Sequence, residues 1–213
     1  MDANFVRGIP LRTRNGSDCR MATTYMSYSA LRLVFEPFPI LRTSRLMLRK
    51  VSRIDVHEIF FLRSDPRIMK YLDKAAAHTV DDAVTFIDKI ESQEKSAEAI
   101  MWAIVMNNEE KLIGTIGFWN MTPEHYRAEI GYALYPDKQG KGIMQEAMEA
   151  VLNYGFRVMH LHSVEANVNP GNAGSIKLLE RNGFVREGYY RENYFFDGRF
   201  LDSAIYSLLA PSR

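Results

Sequence analysis

The chain has 213 residues, 46% of them hydrophobic and 25% charged, enough to bury one sizeable core, which excludes collagen-like, disordered and disulfide-scaffold classes. Lys and Arg total 27 against 26 Asp and Glu, a net charge of +1 that gives no electrostatic basis for a nucleic acid or membrane partner, so any anion site must be local. The single Cys19 excludes an internal disulfide or a thiolate metal cluster, and with no run near the ~18 apolar residues of a spanning helix and no signal-peptide core, the cytoplasm is expected.

Residues 1–38 are predicted to be an extension, disordered or loosely packed, or upstream sequence: Arg7, Arg12, Arg14 and Arg20 lie in polar text with no sustained period. Asp2, Asp18 and Glu36 argue against a transit peptide. The two prolines of Glu36-Pro37-Phe38-Pro39 oppose any regular element and mark the boundary of a domain over 39–213.

Within the domain, Arg45 to Arg49 alternates charged and apolar residues as a first strand. Asp55 caps a helix through Leu62, which Ser64-Asp65-Pro66 ends; Thr79 caps a second from Val80 to about Glu94 with Val84, Ile87 and Ile90 inward. Strands follow at 99–106, 111–119 and 127–135, an antiparallel meander turned first at Asn107-Asn108. A loop, Pro136 to Gly142, leads into an amphipathic helix with Ile143, Ala147, Val151 and Tyr154 on one face. A strand (162–166), a helix (171–181, stopped at Asn182-Gly183) and a hairpin turned at Asp197-Gly198 complete the pattern. The hairpin's Tyr189, Tyr190, Tyr194, Phe195, Phe196 and Phe200 are expected in the core and as a dimer surface or cleft wall, and Trp102 and Trp119 against the sheet. His160 and His162 have no third ligand nearby, so no metal is expected.

The strand, Gly-rich loop and helix at 130–152 place Gly140 and Gly142 where backbone N–H groups can meet an anion at a helix N-terminus. The eight-residue P-loop and the dinucleotide fingerprint are both absent, which weakens ATP and NAD readings. By itself Gly-x-Gly is more often a simple tight turn with Lys141 in water.

Four segments in order, Thr43 to Arg49, Ala128-Glu129-Ile130-Gly131-Tyr132-Ala133-Leu134, Gln139 to Ala147 and Asn169 to Phe184, make the chain resemble the GCN5-related N-acetyltransferase (GNAT) superfamily, in particular its ribosomal-protein-alanine (RimJ/RimL-type) branch, over roughly residues 39–209. The resemblance implies an α/β GNAT fold: a twisted, mixed and mostly antiparallel sheet of six to seven strands flanked by about four helices. It implies acetyl-CoA as cosubstrate and a primary amine as acceptor, either a protein N-terminus or a small amine. By the same resemblance, Gln139, Gly140, Lys141, Gly142, Ile143 and Met144 hold the CoA diphosphate, with Met144 where a small residue is usual. Tyr132, Ala133 and Leu134 line the pantetheine arm, and one of their N–H groups holds the developing oxyanion. Asn172 matches a CoA-contacting asparagine, Ser175 lies one turn on along the same face, and either side chain reaches the pantetheine or caps the helix instead. Homodimers are common among such relatives.

The family's usual base and acid positions hold Asn167 and Leu179 here, so neither role carries over. Glu129, on a strand otherwise written for burial, is a candidate base or an edge carboxylate paired with Arg127 or another cation. Glu165 shares a strand face with Asn167 and Asn169, and Tyr132 is a candidate proton donor to the thiolate. The missing pair leaves open a CoA-binding sensor or partner-binding module without turnover. Residues 39–213 contain no cysteine, which favours direct transfer in a ternary complex over an acetyl-cysteine.

Overall fold

The structure, a computed structural model, describes residues 31–211. Its strands are β1 (Leu41–Arg42), β2 (Leu46–Lys50), β3 (Ile100–Met106), β4 (Leu112–Thr122), β5 (Arg127–Leu134), β6 (Ser163–Val168), β7 (Val185–Phe196) and β8 (Arg199–Leu209). The helices are α1 (Val56–Ser64), α2 (Pro66–Met69), α3 (Val80–Lys95), α4 (Ile143–Arg157) and α5 (Ala173–Arg181). The strands form one mixed sheet in the order β1-β2-β3-β4-β5-β6-β8-β7.

Eight strands and five helices exceed the expected six to seven and about four, for two local reasons. Leu41 and Arg42 pair back onto Leu48 and Met47 across a turn whose Thr43 hydroxyl accepts from the Leu46 N–H at 2.9 Å, and this adds β1. Pro66 does not end the helical segment, because a first helical position needs no N–H; it opens α2, which Asp65 caps by accepting from the Arg67 N–H at 2.8 Å. At α3 the Thr79–Asp82 capping box forms, and Ala83 takes the fully buried place expected of Val84, beside Ile87 and Ile90.

Two apolar clusters lie on opposite faces of the sheet. Ala128, Ile130 and Leu134 of β5 join Ile143, Ala147, Met148 and Val151 of α4 and Leu179 of α5, whereas Ala133 packs with Ile59 and Leu62 of α1 and Ala83 and Ile87 of α3. Strand alternation therefore directs Tyr132 toward α4 and α5, and Glu129 and Gly131 toward α1 and α3. Residues 31–38 lie against the first cluster, with Phe35 buried and the Arg32 N–H donating to the Met159 carbonyl at 3.0 Å. Cys19 and the rest of residues 1–38 fall outside the described residues.

The last hairpin departs from its expected place in the core: Tyr189, Tyr190, Tyr194, Phe195 and Phe200 are all exposed. β7 is the edge strand, bonded only to β8, and almost every residue along it is exposed on both faces. Aromatic content signals burial only where another layer covers the strand. Among the described residues no helix is long and apolar enough to cross a membrane, and no three His, Cys, Asp or Glu side chains are grouped to hold a metal.

Candidate active site

β5 and β6 are paired in parallel over only three residue pairs, Arg127 with Ser163, Ala128 with Val164 and Glu129 with Glu165. Past Glu129 the strands part, while β5 stays paired to β4 through Leu134. One side of β5 is thus left without a ladder from Ile130 onward. The Tyr135 N–H donates to the Ile113 carbonyl at 2.9 Å, and antiparallel partners exchange bonds at every second residue. Gly131 and Ala133 accordingly face β4, and the main-chain groups of Tyr132 and Leu134 face the opening. The Leu134 carbonyl indeed points away from β4 and accepts from Gln139 Nε2 at 3.2 Å. Of the three expected donors, Ala133 is therefore turned to the ladder and Tyr132 and Leu134 toward the gap.

The opening leads to the loop before α4. Gly140 (φ 71°) and Gly142 (φ 72°) adopt left-handed backbone that a side chain would strain, and no atom lies within 4 Å of where a Gly140 Cβ would stand. Gly142 is the N-cap of α4 and no side chain caps the helix; its first main-chain bond runs from the Glu146 N–H to the Gly142 carbonyl at 3.1 Å. The N–H groups of Ile143, Met144 and Gln145 are left without intrahelical acceptors at the positive end of the helix, an arrangement that fits a diphosphate. The Met144 side chain is buried in the core, so its bulk is absorbed by packing.

Arg45, expected only as the start of the first strand, braces this loop. Its Nη1 donates to the Lys141 carbonyl at 3.0 Å and its Nε to Glu146 Oε2 at 2.6 Å, while Glu146 Oε1 accepts from Ser44 Oγ and the Arg45 N–H, each at 2.9 Å. Burial pushes the Glu146 carboxyl up, but the hydrogen bonds from Thr43, Arg45 and Ser44 outweigh it and bring it from 4.5 to about 2. Because the folded value lies below the unfolded one, the stabilisation is complete above pH 4.5 and is lost as pH falls toward 2. Glu146→Gln is expected to cost roughly 1–3 kcal/mol near neutral pH. Urea denaturation at several pH values checks this, and the gap between variant and wild type should close in acid.

On the α4 and α5 face, the Tyr132 hydroxyl lies 2.6 Å from Ser175 Oγ. Burial pushes the phenol up to about 12, although the Ser175 bond pulls the other way, so the hydroxyl is neutral and protonated at physiological pH. Asn172 takes the capping role: its Oδ1 accepts from the Ser175 N–H at 3.1 Å and opens α5. Ser175 thus spends its main-chain donor on the cap and its hydroxyl on Tyr132.

On the opposite face, Glu129 and Glu165 are side by side across β5 and β6. Arg127, a partner equally open to Glu129 in the sequence, pairs with Glu165 instead. Glu129 Oε2 accepts from the neutral Asn120 Nδ2 at 2.8 Å. Trp119, paired with Glu129 in the β4–β5 register, lays its indole against Gly131, where a Cβ would meet the ring at 3.3 Å. Lys74 Nζ stands 4.1 Å from the centre of that ring. Beside it, Asp73 Oδ2 accepts from Asn169 Nδ2 at 3.0 Å and the Asp73 carbonyl accepts from the Tyr194 hydroxyl at 3.1 Å. The two tryptophans differ: Trp102 is fully buried and donates to the Pro39 carbonyl at 2.7 Å, whereas Trp119 Nε1 is buried with no partner. An uncapped helix end, free main-chain donors along one strand and proton-carrying side chains on both its faces can hold an extended anionic molecule and move protons beside it.

Residues 45–185 match the acetyltransferase (GNAT) domain family. The uncharacterised N-acetyltransferase YoaA of Bacillus subtilis is 33% identical over 174 residues, 82% of this chain and 98% of its own. An acetyltransferase of the GNAT family from Bacillus anthracis superposes with a TM-score of 0.72 at 30% identity, covering 81% of this chain and 99% of that one. The ribosomal-protein-S5-alanine acetyltransferase of Vibrio fischeri does so at 0.72 and 26% identity, covering 81% and 97%.

Proposed function

The chain belongs to the GNAT acetyltransferase family and is an N-acetyltransferase, and from that premise we propose that it carries the acetyl group of acetyl-CoA directly to the α-amine of a protein N-terminus. The observation that carries this reading is the parting of β5 and β6 past Glu129, with Tyr132 main-chain groups facing the gap and the uncapped start of α4 at its end. When bound, acetyl-CoA supplies an acetyl thioester.

The N–H groups of Ile143, Met144 and Gln145 hold the diphosphate, and Gly140 and Gly142 let it approach the backbone. The Tyr132 N–H donates to the thioester oxygen as charge develops there, an effect worth about 3–4 kcal/mol where such donors have been removed. Glu129 takes one proton from the incoming ammonium; the neutral amine bonds to the thioester carbon as the C–S bond breaks, the Tyr132 hydroxyl protonates the departing thiolate, and the second proton lost by the amine passes to solvent, from which Tyr132 is reprotonated. Glu165, already paired with Arg127, serves to order the strand beside Glu129. Without a cysteine in residues 39–213 to carry the acetyl group, a ternary complex is the simplest route.

Acceptor choice rests on the shape of the far end. A cleft of about 320 Å³, lined by Asn169, Gly171, Tyr189, Glu192, Phe200 and Asp202, opens beside the Asp73–Asn169 contact. Such a cleft suits an amine that is the start of a longer chain, in keeping with the ribosomal-protein acetyltransferase among the relatives. Thiol release from acetyl-CoA, followed across peptides with free N-termini and a panel of small amines, tests the assignment. Peptides are expected to be turned over with the higher kcat/KM. Preference for small amines would overturn the acceptor, and CoA binding with no turnover on any acceptor would favour a sensor module.

A further inference from the structure

We propose that the face of Trp119 beside Glu129 is a binding site for an acceptor's ammonium, and that Lys74 occupies it in the free protein as a displaceable stand-in. The identity of the ligand rests on the acetyl-transfer reading; the existence of the site does not.

Lys74 is an exposed residue, yet its ammonium lies 4.1 Å from the centre of the indole, within the range of a cation–π contact. Desolvation pushes its pKa down, Glu129 opposes that shift, and Arg63 and Lys89 reinforce it. The cation therefore sits in a place that partly dries it, beside an aromatic face and a carboxylate that accepts from the neutral Asn120. A primary ammonium from another chain would meet the same ring and the same carboxylate. The ring rests on Gly131, one residue before the Tyr132 main chain that faces the gap, so an amine here stands next to the strand where transfer is proposed. Trp119 Nε1 is buried with no partner, and a donor left unmet in the free protein is explained if a ligand carbonyl meets it.

The stand-in can leave without unfolding its turn. Asp73, with φ 48° in the left-handed region, is fixed through its carboxylate to Asn169 and through its carbonyl to Tyr194, so the backbone beside Lys74 is anchored at two points. The lysine's flexible four-carbon stem then gives the ammonium freedom to exchange with another.

Trp119 supplies its own reporter, since Trp102 is the other tryptophan and lies in the core. The probe is a pentapeptide with a free N-terminal alanine, beside its Nα-acetylated twin, titrated against intrinsic fluorescence in wild type, Lys74→Met, Lys74→Gln and Trp119→Leu. The free peptide is expected to give a saturable change in wild type and to bind about 5- to 10-fold more tightly in both Lys74 variants, with KM falling to match and kcat little changed. The change should vanish in Trp119→Leu, and the acetylated twin should give none. An equal response to the twin, unaltered affinity in both Lys74 variants, or no saturable response at all would overturn the site. Binding with the expected pattern but no thiol release from acetyl-CoA would uphold the site and remove the transfer reading; turnover with unaltered affinity in the Lys74 variants would do the reverse.

Discussion

Gly142→Glu is expected to remove measurable CoA affinity, a weakening of at least about 100-fold, in a protein that still folds. Two effects of the substitution can be separated. The left-handed φ of 72° costs any residue with a Cβ about 1–2 kcal/mol. The new Cβ itself meets only the Arg45 guanidinium, at an ordinary 3.5 Å, so no steric clash adds to that strain. The carboxylate is the larger effect, because it brings a negative charge to the N–H groups that would hold the diphosphate and can satisfy them as a helix cap does. Gly142→Ala carries the strain without the charge and should weaken CoA by less than about 10-fold while losing similar stability. Calorimetric titration with CoA reads the first quantity and thermal unfolding the second. Wild-type affinity in Gly142→Glu would place the diphosphate elsewhere.

The features that the sequence announced are those written in local chemistry. Gly140 and Gly142 stand out because only glycine enters left-handed backbone without cost, and the Ile143, Ala147, Val151 spacing after them has the period of a helix against a core. Thr79 likewise marks the start of α3 as its N-cap. The contacts that complete the site are of another kind. Tyr132 and Ser175 meet across 43 residues, and Lys74 reaches Trp119 from the turn between α2 and α3; neither pairing leaves a periodic trace, since both depend on strand register and loop closure. Register also decided between Arg127's two carboxylates, giving it to Glu165 and leaving Glu129 to a neutral amide. The final hairpin misled for the opposite reason: its aromatic residues carry the composition of a core, but the edge position of β7 leaves nothing to cover them.

Glu129→Gln is expected to lower kcat by about 10²–10⁴ with a smaller change in KM, and Tyr132→Phe by about 10–100. The pH profiles separate the two roles. With a phenol at about 12, Tyr132 is protonated throughout any assay near neutrality, so its loss should scale kcat by a constant factor between about pH 6 and 9. Glu129→Gln removes the base itself, so an unchanged kcat and pH profile in that variant would remove Glu129 from this role. Ser175→Ala should leave Tyr132 protonated, because burial rather than the Ser175 bond raises the phenol. The strongest test lies in combining the first two. Glu129 faces α1 and α3 while Tyr132 faces α4 and α5, on opposite sides of one strand, so neither side chain can take over the other's proton by a change of rotamer. If each serves its own proton transfer, the losses in Glu129→Gln/Tyr132→Phe should multiply; a double variant no slower than Glu129→Gln alone would mean that Tyr132 acts only through the geometry that Glu129 already needs.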